Sequence, residues 1–150
     1  MKALVVKLVS TFLGVGYIPF IAPTWASAVA AVLVWYLPGT PILLTLCLTV
    51  AGLWACRPSQ TVLKSQDPRA FVMDEVCGMM LALWWIPRET HWYLTAFLLF
   101  RLFDWKKPWP ISRIQDHPHP WSIMGDDLAA GVAANALLHV LLLFRLLPVS

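Results

Sequence analysis

Three short clusters in this chain set carboxylates, one of them with cations, against the edges of apolar runs. The stretch Phe100-Arg101-Leu102-Phe103-Asp104-Trp105-Lys106-Lys107-Pro108-Trp109-Pro110-Ile111 ends one such run with an arginine, an aspartate and two lysines, then stops it with two prolines. Asp74-Glu75 opens a second run and Asp126-Asp127 a third. Ionisable groups beside hydrocarbon are costly and usually functional. Six of the eight acidic residues, Asp67, Asp74, Glu75, Asp104, Asp126 and Asp127, lie in or beside these clusters, which points to one shared acidic site. Carboxylates converging with Arg and Lys suit a hard divalent cation. Magnesium takes oxygen ligands and completes its shell with water and phosphate.

Each cluster also has an ordinary reading. Arg101, Asp104 and Lys107 are spaced by three and line one helical stripe, where Arg and Lys could anchor the helix end and pair with the aspartate. Asp126-Asp127 could cap a helix, and Asp74-Glu75 could favour a helix dipole. Phe71, Val72 and Met73 precede the latter pair, so it is not a simple solvent-exposed cap, and burying two carboxylates without a cation is expensive. Gly78 follows Asp74 by four residues and Gly131 follows Asp127 by four. A glycine at that place leaves room for a ligand or another helix.

The elements that must position these groups are all helical. Residues 1–13 predict a short interfacial helix with Lys2 and Lys7 on its polar side. A loop rich in Gly and Pro follows, with Thr24 and Ser27 near its end as possible phosphate contacts or helix caps. Apolar residues run from about Ser27 to Leu37, break at Pro38-Gly39-Thr40-Pro41 and resume through Cys56, as a broken or re-entrant pair or two short tilted helices. Residues 57–69 read as a polar, basic loop. Helical patterns at 70–86 and from His91 to Asp104 are joined by Pro87-Arg88-Glu89-Thr90, an antiparallel hairpin that returns Arg101 and Asp104 to the side of Asp74-Glu75. The last helix is expected to begin at Asp126-Asp127 and run to about Leu147.

Composition sets the class. Of 150 residues 59% are hydrophobic, nine are Trp, and mean hydropathy is +0.69, outside the soluble range. The expectation is one all-α domain, residues 1–150, folded as a small polytopic membrane bundle with short or broken spans. Lys64, Arg69, Lys106, Lys107 and Arg113 flank the acidic face, so the positive-inside rule places that face in the cytoplasm. The net charge of +3 forms no nucleic-acid stripe. Lys2, Lys7 and Ala26-Ser27-Ala28 imitate a cleavable signal peptide, but Gly14, Gly16, Pro19 and Pro23 interrupt its apolar centre, so a retained segment is expected. Cys47, Cys56 and Cys77 lack C-x-x-C spacing, and the four histidines form no metal box, which argues against zinc. No P-loop, G-x-S-x-G or G-x-G-x-x-G is present.

Taken together, GVGYIPFIAPTWAS, QDPRAFVMDEVCGM, FLLFRLFDWKKPWPI and SIMGDDLAAGV resemble, in order and spacing, the motifs of the phosphatidylglycerophosphatase A family. The combination FR-x-x-D-x-x-KP-x-PI with DE-x-x-G and DD-x-x-AG carries the resemblance over residues 14–132. It implies a magnesium-dependent phosphatase of the bacterial inner membrane that converts phosphatidylglycerophosphate to phosphatidylglycerol. By match it implies Asp67, Asp74, Glu75, Asp104, Asp126 and Asp127 as metal ligands, and Asp74, Glu75, Asp104 and Asp127 as catalytic groups. Arg101, Lys107, Thr24 and Ser27 would contact substrate. The chain departs from the family at Ala22-Pro23-Thr24-Trp25-Ala26-Ser27, which lacks two glycines, and at His117-Pro118-His119-Pro120-Trp121, which replaces a glycine-rich approach. The alternative from another class is a non-enzymatic membrane protein that binds anionic lipid or a cation through the same charges.

Overall fold

Proline and glycine divide the chain, and helices occupy the apolar stretches between them. The structure, a computed structural model, describes residues 1–64 and 68–144. Its described residues form seven α-helices and no strand: α1 (Lys2–Ser10), α2 (Ala22–Tyr36), α3 (Ile42–Val62), α4 (Met73–Ala82), α5 (Thr90–Lys106), α6 (Ile111–Gln115) and α7 (Ser122–Leu143), with a 3-10 turn at Val15–Tyr17. The all-α expectation is met.

The bundle is organised around α4. Nine of its ten residues are buried. At 1.5 Å per residue it spans only about 15 Å, half a hydrocarbon core, so other helices must cover it. α2, α3, α5 and α7 all pack against it. α2 turns Ala22, Ala26, Ala30 and Val34 inward at helical spacing, small side chains that permit close approach. α7 comes closest. A Cβ built on Gly131 would stand 2.3 Å from the Gly78 carbonyl oxygen, and one on Gly78 would stand 2.6 Å from the Asp127 carbonyl oxygen. The place left by each glycine is therefore filled by a neighbouring helix rather than by a ligand.

The ends of α4 are tied to the rest of the bundle. Val72 N–H donates to the Ser10 carbonyl at 2.9 Å, holding the N-terminal segment over the entry to α4. At the other end the Asn135 amide of α7 donates to the carbonyls of Ala82 (3.0 Å) and Trp84 (2.9 Å), satisfying groups that a helix C-terminus leaves open. Arg88 in the following turn donates to Leu37 and Gly39 carbonyls, closing the loop between α2 and α3 onto the hairpin. Hydroxyls inside helices bond back to their own turn: Thr45 to the Pro41 carbonyl (2.8 Å), Thr95 to His91 (2.7 Å). Such pairing keeps polar groups satisfied where water is absent.

Several boundaries differ from expectation. Residues 57–62 continue α3 instead of forming a loop. Pro58 lies in its last turns, where Ala55, Cys56 and Ser59 stay buried, and packing outweighs the lost backbone bond. The pattern at 70–86 contains only ten helical residues, because Asn135 caps the chain at Ala82. α7 starts at Ser122, so Asp126-Asp127 sit in its second turn, and helix capping does not explain them. α2 starts at Ala22, with Pro23 in its first turn, a position that suits proline.

The outer faces are apolar. α3 and α7 are long and apolar enough to cross a membrane, with mean hydropathies of 1.5 and 1.4, and only 28% and 33% of those windows are buried inside the protein. Core helices of a soluble protein would be mostly covered. Val32, Leu43, Val50, Leu94, Leu98 and Leu143 instead stand exposed on four helices. Uncovered apolar surface on this scale belongs in lipid, and the fold is a small membrane helical bundle.

Candidate functional site

The N-terminal end of α4, the C-terminal end of α5 and the second turn of α7 meet at one end of the bundle. They open into a cavity of about 690 Å³ whose lining includes Asp74, Glu75, Asp104, Lys107, Asp126 and Asp127. The hairpin expectation holds in its consequence, since the second helix returns Asp104 to the side of Asp74-Glu75. The Gly78–Gly131 crossing does the same for α7 and brings Asp127 against the α4 pair.

Asp74, Glu75, Asp126 and Asp127 are all buried, between 4 and 8% exposed. Asp74, Glu75 and Asp127 each offer an oxygen within 4.8 Å of the other two. Asp104 adds its charge to both Glu75 and Asp127. At that spacing each pair of like charges costs at least about 3.5 kcal/mol at an effective dielectric near 20. The question is therefore which cations compensate them.

Two cations beside the carboxylates are engaged by them, while a third, Arg69, stands exposed on the cavity lining. Arg101 pairs with Asp104 at 2.7 Å, one turn away on α5. Lys107 contacts Asp126 and lies 3.8 Å from Asp104. Lys107 ends α5 in a left-handed conformation (φ 41°), because Pro108 disfavours a further helical turn. Its burial alone would lower the ammonium pKa, but Asp126, Asp127 and Asp104 outweigh that and hold it above its ordinary value. Asp74, Glu75 and Asp127 are left with no ion-pair partner among the described residues. Glu75 Oε2 and Asp127 Oδ2 are buried and accept no hydrogen bond there.

A compact set of buried oxygen donors with no ion-pair partner of their own fits a hard divalent cation. Zinc more commonly takes nitrogen and sulfur ligands, with carboxylates as a minority. The pairs Asp74-Glu75 and Asp126-Asp127 share a local device: the first aspartate's Oδ1 accepts the next residue's N–H, at 3.0 Å and 3.1 Å, which fixes its rotamer.

Other residues named from sequence fall elsewhere. Ser27 is fully buried and its hydroxyl donates to the Pro23 carbonyl at 3.0 Å, so it is committed to its own helix. Neither Ser27 nor Thr24 lines the cavity; Ala22 and Pro23 do. Arg101 is also absent from the lining and reaches the site through Asp104. Asp67 lies outside the described residues. The cavity takes in groups that sequence reasoning had not assigned: Gln60 from the end of α3, Arg69, and Gln115, His117, His119 and Ser122 before and at the start of α7. Gln60 was missed because residues 57–69 read as a loop. The alternation of His117 and His119 with prolines was the available signal for a stiff rim segment.

Comparison with known proteins agrees with the geometry. The family model for phosphatidylglycerophosphatase A matches residues 8–142. A Bacteroides thetaiotaomicron protein provisionally named phosphatidylinositol-3-phosphatase is 34% identical, over 89% of this chain and 91% of its own. Phosphatidylglycerophosphatase A of Escherichia coli is 30% identical, covering 88% and 80%. That of Haemophilus influenzae is 31% identical, covering 86% and 83%. No solved structure matches the chain with statistical significance.

Proposed function

The chain belongs to the phosphatidylglycerophosphatase A family, and from that premise we propose that it hydrolyses the phosphomonoester of phosphatidylglycerophosphate to phosphatidylglycerol and phosphate. The observation that carries the reading is the trio Asp74, Glu75 and Asp127, buried, without an ion-pair partner among the described residues, and open to a cavity at the end of a membrane bundle. A non-enzymatic lipid-binding protein would offer anionic headgroups a mainly cationic lining, whereas here five carboxylates, Asp74, Glu75, Asp104, Asp126 and Asp127, stand against Arg69 and Lys107.

Asp74, Glu75 and Asp127 would hold Mg²⁺, with Asp104 and Asp126 beside them. When bound, the ion supplies positive charge against the phosphate and an acidified water. The chain's own groups do the rest. Lys107, kept protonated by Asp126, presents a point charge to a phosphate oxygen at the cavity wall. Arg101 holds one oxygen of Asp104 and so fixes the direction of the other. The helices around the trio exclude bulk water, which strengthens every charge interaction at the reacting group.

The name of the Bacteroides relative favours a second headgroup, an inositol phosphate monoester, for the same chemistry. One assay separates the two: phosphate release by purified protein from phosphatidylglycerophosphate and from phosphatidylinositol 3-phosphate, each with Mg²⁺ and with excess EDTA. We expect turnover of the first lipid, loss in EDTA and recovery on adding Mg²⁺. Hydrolysis of the inositol lipid alone would move the headgroup assignment, and turnover in neither would end the phosphatase reading.

We also propose multi-pass insertion in the bacterial cytoplasmic membrane with the cavity facing the cytoplasm; Lys64, Arg69, Lys106 and Arg113 near the cavity end, with Arg88 at the other, support that orientation. In a background lacking Cys47, Cys56 and Cys77, an impermeant thiol reagent added to intact cells should label a cysteine at Glu89. Labelling at Lys64 or Arg113 instead would reverse the orientation.

A further inference from the structure

We propose that an apolar groove between α2 and α5 receives one acyl chain of the lipid whose phosphate occupies the acidic cavity, and so sets chain-length preference; this rests on the phosphatase reading above. The groove, about 460 Å³, is lined by Ala28, Ala31, Val32, Trp35, Leu94 and Phe97 among others. Its volume falls in the range of ligand sites, roughly 300–1,000 Å³.

Position identifies the occupant. The two helices that form the groove also reach the acidic cavity, α2 through Ala22 and Pro23 and α5 through Asp104 and Lys107. At 1.5 Å per residue, Ala28 and Tyr36 stand about 9 and 21 Å along α2 from Ala22. Phe97 and Thr90 stand about 10 and 21 Å along α5 from Asp104. The two helices agree, so the groove runs from about 10 to 21 Å below the phosphate site. One leaflet of hydrocarbon is about 15 Å deep. An amphiphile with its phosphate at Lys107 would therefore lay its chain along this groove.

The lining suits that occupant and closes where the chain would end. Alanines at 28 and 31 leave space that larger side chains would fill. At the end remote from the cavity, Trp35 and Tyr93 meet edge to face, with centroids 5.0 Å apart and planes at 83°. Val32, Tyr36 and Leu94 are exposed, so the groove opens sideways toward lipid and a chain can enter without threading. A chain that leaves the bilayer for the groove gains van der Waals packing against its lining rather than a transfer from water, and that packing helps hold the headgroup at the site.

The test compares dioleoyl and dihexanoyl phosphatidylglycerophosphate as substrates of wild type, Ala28→Leu and Ala31→Leu, each variant first shown to purify and melt like wild type. A filled groove should lower kcat/KM for the dioleoyl lipid by about tenfold or more. The dihexanoyl lipid should change by less than about twofold. Equal falls on both lipids, or no change on either, would overturn the proposal. A second readout does not depend on turnover: phosphatidylglycerophosphate with a mid-chain diazirine, photolysed in detergent micelles and mapped by mass spectrometry. We expect labelling at residues 28–36 and 90–97 above that at residues 43–50 on the outer face of α3, and loss of the excess in Ala31→Leu. Even labelling of all three segments would mean ordinary surrounding lipid and no chain site. If wild type turns over neither lipid, the phosphatase reading fails, and this labelling pattern still decides the groove.

Discussion

Glu75→Gln and Asp127→Asn are each expected to lower kcat at least ~100-fold while leaving the protein as stable as wild type or more so. The opposite signs are the diagnostic part. Each side chain is buried beside two other carboxylates, and each has an oxygen with no hydrogen-bond donor among the described residues. Removing one charge relieves repulsion in the protein alone, whereas turnover loses a ligand for the proposed cation. A site that trades stability for activity behaves this way. Asp116→Asn, exposed on the rim after α6, and Glu89→Gln, at the far end beside His91, are the controls and should stay near wild type. Thermal midpoints in detergent and phosphate release from the same preparations check the result. Loss of stability together with activity would make the trio a structural network and remove the argument for a cation there.

Gly131→Ala should be as damaging by a different route. Its new methyl would stand 2.3 Å from a backbone carbonyl oxygen, which cannot rotate away, so α7 would have to move off α4. Overpacking of this kind costs about 1–3 kcal/mol and occasionally more, outweighing the roughly 1 kcal/mol by which alanine favours a helix over glycine. Asp127 sits one turn from the crossing and would move with it. A displacement of about 1 Å at a catalytic group costs on the order of 100-fold in rate, so protein that still folds should be nearly inactive. Gly125→Ala is the comparison: its methyl meets Ile114 and Trp121 side chains at 2.8 Å, which can yield, and the effect should be much smaller. A Gly131→Ala protein with the midpoint and kcat of wild type would show that the close crossing does not position the site.

What was legible from sequence was what local pattern decides. Apolar runs between Pro and Gly breaks specify helices, since period and punctuation act within a few residues, and the all-α membrane class follows from composition. The short turn at Pro87–Thr90 forces a hairpin, so the return of Asp104 toward Asp74-Glu75 was readable as well. Motif spacing marked all five carboxylates that line the cavity. Helix ends were less legible. The C-terminus of α4 depends on Asn135, a residue 53 positions beyond Ala82, and the start of α7 at Ser122 removes the capping explanation for Asp126-Asp127.

Only the tertiary structure decided which charges are compensated. In sequence Arg101, Asp104 and Lys107 form one stripe, and Lys107 is as close to Asp104 as Arg101 is. In space Lys107 reaches across to Asp126, Arg101 keeps Asp104, and Asp74, Glu75 and Asp127 are left without an ion-pair partner among the described residues. The repeated carboxylate-then-glycine spacing was visible on both helices, but its meaning was not. It is a crossing point, at which glycines, Gly78 on one helix and Gly131 on the other, let the two come within backbone contact and carry their carboxylates to one place. Periodicity is a property of one helix, whereas the distance between two helices is set by what each places at the contact, and the charge balance of this site depends on that distance.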